Sequence, residues 1–218
     1  MHSEALQDYV KQIYMLQADS GRATTSAVAD RLGVSAASAT AMFKKLADAG
    51  LVEHQPYRGA LLTPAGERVA VEIVRHHRLL ELYLTEALGV PWDRVHVEAE
   101  RLEHVLSDEL EAAMDRALGY PDTDPHGDPI PSADLVVTDK AHSSLTDLGA
   151  GQTGEIRRVP DGDPELLQYL AGLGLVPSAR FTLVEKAPFG GPVTVVVDGL
   201  RQAIGLPIAE RIKVEADQ

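Results

Sequence analysis

The chain has 218 residues, a formal net charge of −13, 44% hydrophobic residues and no cysteine. That composition supports packed cores and excludes wholesale disorder, while the missing thiols exclude disulfides, thiolate nucleophiles and thiolate zinc sites. No apolar run is long enough to span a bilayer, and the opening MHSEALQDYVKQIYML is polar and acidic where a secretory signal is basic and then apolar, so a cytoplasmic protein with no membrane partner is expected.

Residues 4–19 read as an amphipathic helix, with Leu6, Tyr9, Val10, Ile13 and Leu16 near helical spacing and Gly21 as its stop. Thr25-Ser26 starts a short helix, AVADRLG, which Gly33 closes. Ser35 is the expected N-cap of a third helix, AASATAMFKKLADAG, ended by Gly50. Two helices joined by a short turn, the second carrying Lys44 and Lys45, describe a helix-turn-helix, and LVEHQPYRGALLTP supplies two short strands around a turn, the wing of a winged helix. The charge distribution agrees: residues 22–78 hold eight Lys/Arg against five Asp/Glu in a chain that is otherwise strongly acidic. The acidic remainder is read equally as a cation-binding surface or an ordinary solubilising one.

Pro64 fits the first turn of a long helix reaching about Leu88. Pro91-Trp92 is expected to open another, running to about Leu106, and Ser107 to cap one that ends at Gly119. Pro121, Pro125, Pro129 and Pro131 make the next stretch a structured loop. From Thr153 the pattern turns to strands (EIRRV, ARFTLVEKA, PVTVVVDG, ERIKVE), interrupted by a helix, DPELLQYLAGLG, with Gly190-Gly191 as a hairpin turn; a small β-barrel is expected.

The chemistry concentrates in HVEAERLEHVLSDELE. His96, Glu100, Glu103 and His104 share one helical face, opposite Val97, Leu102, Val105 and Leu106. A divalent cation relieves such crowding of carboxylates and imidazoles; a solvated polar face is the competing reading. His77 and Glu81, one turn apart on the preceding helix, suit the same ion chemistry, although His76-His77 between Arg75 and Arg78 also reads as a basic patch beside DNA.

The helix-turn-helix, RHHRLLELYL, VHVEAERLEHVLSDELE and PHGDPIP together resemble the diphtheria toxin repressor family over essentially the whole chain. The resemblance implies an α+β protein: a winged-helix DNA-binding domain (1–72), a helical dimerisation and metal-binding domain (73–140), a linker (141–152) and a small Src-homology-type β-barrel (153–218). It implies a primary metal site of Asp8, Glu100, Glu103 and His104. The iron-dependent branch holds Met and Cys where this chain has Asp8 and Glu100, and replacing soft sulfur by hard oxygen favours Mn(II), with Fe(II) a weaker activator. Short manganese regulators carry a Glu at the position of Lys11, so the resemblance to their two-metal cluster fails there. The longer branch has an ancillary site matching His77, Glu81 and His96, completed from VPDGDPELLQ, where Asp161, Asp163 and Glu165 are candidates.

The implied function is a Mn(II)-activated transcriptional regulator, a repressor of metal-uptake genes, that binds a double-stranded DNA operator as a homodimer. Ser35, Ala37, Ser38 and Thr40, with Ala41, form the base-facing end of the recognition helix; Lys44 and Lys45 contact phosphates, and Tyr57 and Arg58 of the wing lie beside them. A metal joining Asp8 to Glu100, Glu103 and His104 sets the angle of the DNA-binding half, and without it the carboxylates repel and the first helix loosens. Two alternatives stand against this reading: a winged-helix protein that binds DNA without metal, and a metal-dependent hydrolase. No nucleophile or base accompanies the ligands, so no enzyme is expected.

Overall fold

The computed structural model describes residues 3–55 and 59–217. Contacts divide the chain into two compact units that interleave in sequence: Met1–His77, Glu100–Ala113 and Ile130–Val137 form one, and Arg78–Ala99, Met114–Pro129 and Thr138–Gln218 the other.

In the first unit, α1 (Glu4–Ser20) buries Tyr9, Val10, Ile13 and Leu16, the stripe its periodicity marks. α2 (Thr25–Leu32) is capped one residue before the expected start, by the Thr24 hydroxyl accepting from Ala27 N at 3.2 Å. α3 (Ala36–Asp48) begins where Ser35 Oγ accepts from Ser38 N at 3.1 Å, satisfying one of the free amides of its first turn. Strands β1 (Val52–Gln55) and β2 (Gly59–Leu62) pair antiparallel from Val52↔Leu62 to Gln55↔Gly59. Phe43 and Leu46 of α3 join the α1 stripe, Val28 and Ala60 in one core that shuts out water; burial of each large apolar side chain there contributes about 1.5–3 kcal/mol.

Helix α4 (Pro64–Leu88) has the predicted bounds. Helix α5 (Val95–Leu102) is shorter than expected at both ends. Pro91 opens a turn instead, with Arg94 N donating to Pro91 O at 2.9 Å, and another turn at its end closes Val105 N on Leu102 O at 3.1 Å. α6 (Asp108–Ala117) starts after Ser107, whose hydroxyl accepts from Leu110 N at 3.3 Å.

The second unit is built on a six-stranded antiparallel sheet ordered β3-β8-β4-β5-β6-β7: β3 (Ser143–Ser144), β4 (Thr153–Arg158), β5 (Arg180–Lys186), β6 (Val193–Val197), β7 (Leu200–Ile204) and β8 (Lys213–Ala216). Helix α7 (Pro164–Gly172) lies between β4 and β5, and a single-turn α8 (Leu206–Ala209) follows β7. The inward residues Ile156, Phe181, Leu183, Val193, Val195, Val197 and Val214 alternate with half-buried or exposed ones and share one core with Leu167 and Leu170 of α7. Strand β7 is not among the strands read from the sequence. Its signal is Asp198-Gly199, a two-residue hairpin turn with φ of 50° and 78°, where Val197 pairs with Leu200.

One loop of this unit matters for function. Thr123 bridges Pro129, Asp124 N donates to Asp128 O at 2.9 Å, and Gly127 N to Asp124 O at 3.1 Å. Gly127 has φ 92°, and a Cβ there would stand 1.9 Å from the Arg157 carbonyl oxygen of β4, so only glycine permits this approach. Val159 N donates to His126 O at 3.0 Å and ties the loop to the residues after the strand.

Candidate metal centre

The first cluster lies within the first unit. Helix α1 contributes Asp8, and the end of α5 and the turn after it contribute Glu100, Glu103 and His104. Asp8, Glu103 and His104 each offer a donor atom within 4.8 Å of the others. His104 Nε2 lies 2.9 Å from Asp8 Oδ1 and 3.7 Å from Glu103 Oε1. On its other side, His104 Nδ1 donates to Gln7 Oε1 at 2.8 Å, which turns Nε2 toward the carboxylates, as an imidazole must be turned to ligate. Burial lifts the Asp8 carboxyl above its ordinary range; His104 pulls it down, and Glu103 and Glu100 push it up again. Glu100 and Glu103 also receive the ammonium of Lys11, at 2.9 Å for Glu100 Oε1 and 2.9 and 2.8 Å for the two Glu103 oxygens. His77 Nδ1 approaches Glu103 Oε2 at 2.5 Å.

The backbone of this cluster is held from behind. His76 Nδ1 faces the Glu103 carbonyl oxygen at 3.0 Å and Nε2 faces Glu111 Oε2 at 3.2 Å. Both partners are acceptors, so the ring donates from both nitrogens and is an imidazolium. Burial works against that charge, yet Glu111 and the Glu103 carbonyl overcome it and hold the His76 pKa up; His76 and then Arg75 hold that of Glu111 down. Arg75 pairs with Glu111 and donates to Pro131 O at 2.6 Å.

A second cluster, in the second unit, was not found from sequence. Glu81 of α4 meets Asp124 and His126 of the Gly127 loop, all three buried and with donor atoms within 4.8 Å. His126 Nε2 donates to the Trp92 carbonyl oxygen at 3.0 Å and its ring stacks on Trp92, so Nδ1 points to Glu81 Oε2, 3.7 Å away. Asp124 Oδ1 accepts from His126 N at 2.8 Å and Asp128 N at 2.9 Å, while Asp124 Oδ2 and His126 Nδ1 are buried with no hydrogen-bond partner among the described residues. Desolvation, then Asp128 and Glu81, push the Asp124 carboxyl up to about 8. Burial opposes the charged ring of His126, but Glu81 and Asp124 outweigh it and push the group up to about 9. Two carboxylates, an imidazole lone pair and a carbonyl-anchored tautomer are a donor set that fits a hard or borderline divalent cation. The sequence signal was Asp124-Pro-His126-Gly, an acid and a histidine two apart at a tight turn, inside a motif read only as a loop.

Of the expected ancillary residues, His77 and Glu81 stand one turn apart on α4, and His96 Nδ1 lies 3.0 Å from Glu81 Oε1; His77 also faces Lys11 and Glu103. Asp163 is the N-cap of α7, its Oδ1 accepting from Glu165 N at 2.9 Å and Leu166 N at 3.4 Å. Among the described residues, neither Asp163 nor Glu165, nor Asp161, joins a cluster of three potential ligands.

On the recognition helix, Ser35, Ala37, Ser38, Ala41, Lys44 and Lys45 are exposed and Thr40 is half-buried, its hydroxyl donating to Ala36 O at 2.8 Å. Ala39 is fully buried and belongs to the core. Tyr57 and Arg58 lie outside the described residues. No described helix is long and apolar enough to cross a membrane.

Comparison with known proteins covers the chain from end to end. Residues 1–60 match the iron dependent repressor N-terminal DNA binding domain, 63–132 the iron dependent repressor metal binding and dimerisation domain, and 143–216 the FeoA domain. The iron-dependent repressor IdeR of Mycobacterium tuberculosis is 34% identical over 221 residues, 95% of each chain. The diphtheria toxin repressor of Corynebacterium glutamicum is 34% identical over 217 residues, 95% of this chain and 94% of its own. A solved structure described as a manganese-dependent transcriptional repressor in complex with manganese is 41% identical, with a TM-score of 0.88 over 97% of this chain and 99% of that one. The α+β architecture, the DNA-binding and metal-binding domains and the barrel therefore have one explanation: the chain belongs to the diphtheria toxin repressor family of metal-dependent transcriptional repressors.

Proposed function

We propose that the chain is a Mn(II)-activated repressor that binds a double-stranded operator as a homodimer, with Asp8, Glu100, Glu103 and His104 as the activating site and Glu81, Asp124 and His126 as a second, structural one. The observation that carries this reading is the meeting of Asp8, on the first helix of the DNA-binding domain, with Glu103 and His104 from the turn after α5. An ion bound there supplies positive charge that draws carboxylates on separate elements together. The chain's own part is to hold those elements in place. Gln7 orients His104, the imidazolium of His76 fixes the Glu103 carbonyl, and α1 carries the packed core on which α3 rests.

Manganese is favoured over iron by the donors. Asp8 and Glu100 are hard carboxylates, no cysteine is present, and the solved relative described with manganese is similar over nearly its whole length. Fe(II) would act more weakly. Leu102, Val105 and Leu110 are 39, 70 and 49% exposed beside the first cluster and suit a self-association surface. Lys44 and Lys45 then track phosphates while Ser35, Ala37, Ser38 and Thr40 approach base edges, with Tyr57 and Arg58 on the wing.

Recovery of sheared genomic DNA by the purified protein tests this reading in Mn(II), in anaerobic Fe(II) and in chelator. Sequence-selective recovery is expected with Mn(II), less with Fe(II), and background with chelator. Equal recovery in chelator would sink metal activation and leave metal-independent DNA binding. In the recovered operator, Lys44→Ala and Lys45→Ala should each reduce the salt dependence of binding by about one counterion.

A further inference from the structure

The carboxylate of Glu103 is shared by two sets of three donors, Asp8–Glu103–His104 and His77–Glu100–Glu103. The second set already surrounds a cation. Lys11 is 6% exposed, and its Nζ lies 2.9 Å from Glu100 Oε1, 2.9 and 2.8 Å from the Glu103 oxygens and 3.2 Å from His77 Nδ1. An ammonium has three protons, and Glu100 Oε1 and the two Glu103 oxygens account for them, while His77 Nδ1 donates to Glu103 Oε2 beside them. The same helix thus delivers a carboxylate at Asp8 and, one turn later, a positive charge at Lys11. The charges balance for one ion: Asp8, Glu100 and Glu103 less the ammonium leave two negative charges, those that a single divalent cation neutralises. A second divalent cation in the His77–Glu100–Glu103 set would sit against an ammonium that is itself buried, beside the buried Glu103 and His77, where like charges repel strongly.

We infer that Lys11 is the resident cation of the His77–Glu100–Glu103 set and fixes the stoichiometry of this cluster at one divalent ion, taken through Asp8, Glu103 and His104. The inference rests on the metal reading of the cluster proposed above. Lys11 is a specificity-determining residue: its ammonium takes the place beside Glu100 and Glu103 that a second ion would need. Replacing it with an uncharged side chain of similar length opens the second set to another ion.

Equilibrium dialysis of Mn(II) with electron paramagnetic resonance on the full chain tests this, comparing wild type, Lys11→Met, Lys11→Arg and His104→Ala, with far-ultraviolet circular dichroism confirming that each is folded. His104→Ala should bind one ion fewer than wild type. Lys11→Met should bind one more, and the neighbouring spins should broaden the sharp hyperfine pattern of isolated Mn(II). Lys11→Arg, which keeps the charge, should bind as wild type does. A spin-coupled pair already present in wild type and lost in His104→Ala, or a folded Lys11→Met with the wild-type ion count, would overturn the inference while leaving the metal reading intact. An unchanged ion count in His104→Ala would overturn both.

Discussion

The two clusters use the same donor chemistry and solve opposite problems. Asp8, Glu103 and His104 sit on helices and an adjoining turn, part of the site open to solvent (the Asp8 side chain is 38% exposed), with Lys11 set against the carboxylates. Glu81, Asp124 and His126 are wholly buried, two of them on one loop, and Arg78 Nε stands 3.9 Å from Asp124 Oδ2, too far for a hydrogen bond. Where a lysine and water share the neutralisation, burial lifts the Asp8 carboxyl while His104 and Lys11 draw it back; where neither lysine nor water does, Asp124 is pushed up to about 8 and His126 up to about 9. On the metal reading proposed above, the contrast suits the first site to reversible occupation and the second to an ion that becomes part of the fold.

The largest expected effect comes from Asp124. Asp124→Ala removes a ligand and leaves the amides of His126 and Asp128 without their acceptor, so urea melts should show a loss of about 3–5 kcal/mol. Asp124→Asn keeps an acceptor oxygen and removes only the capacity to ionise. In chelator it should melt at or above wild type, while losing most of the Mn(II)-induced gain, about 2.7 kcal/mol at a hundredfold excess over Kd. If Asn proves as damaging as Ala in chelator, burial of charge is not what distinguishes this cluster.

A smaller effect on folding and a clear one on function are expected at the half-exposed site. Asp8→Ala should leave stability in chelator within about 0.5 kcal/mol of wild type. Operator affinity in Mn(II), read by fluorescence anisotropy, should fall about 10–100-fold. A large loss of stability without metal would erase the contrast between an activating and a structural site.

The smallest effect provides a control for pH studies of either cluster. Burial, then Arg158 and Arg157, lower the His142 pKa from its usual value. The folded state therefore favours the neutral ring. Its contribution is complete above the ordinary histidine pKa of about 6.5 and is lost as pH falls through the lowered folded value. His142→Gln should flatten this slight acid-side decline in chelator, and a steeper decline in the variant would reverse the sign assigned here.

Local rules carried the sequence reading far. Ser35 as a cap, Pro64 as a first-turn residue and the His96–His104 stripe are short-range signals, and the first two correspond to the starts of α3 and α4 in the structure. Helical spacing singled out Glu100, Glu103 and His104, although α5 ends at Leu102 and the last two stand on the turn after it. Asp124 and His126 were not legible, because a loop has no period; what gathers them with Glu81 is a tertiary contact, the seating of Gly127 on the Arg157 carbonyl. The role of Lys11 was half-legible. Its charge argued against a metal cluster at that position, but only coordinates place its ammonium between Glu100 and Glu103. The premature start assigned to α5 has a similar cause, since Pro91 serves a turn as readily as a helix, and the hydrogen bond from Arg94 decides for the turn.

Gly127 also imposes an order of events. Its loop pairs Asp124 and His126 through its own hydrogen bonds, but it is clamped against the Arg157 carbonyl, and the His126 carbonyl receives the amide of Val159, so the loop is seated only after β4 has been laid down beside it. During synthesis, a nascent chain that has not yet reached Arg157 carries every residue of this cluster and none of its clamp. On the metal reading proposed above, ion capture there would report the maturation of the barrel, with shorter chains holding the metal less firmly than finished ones.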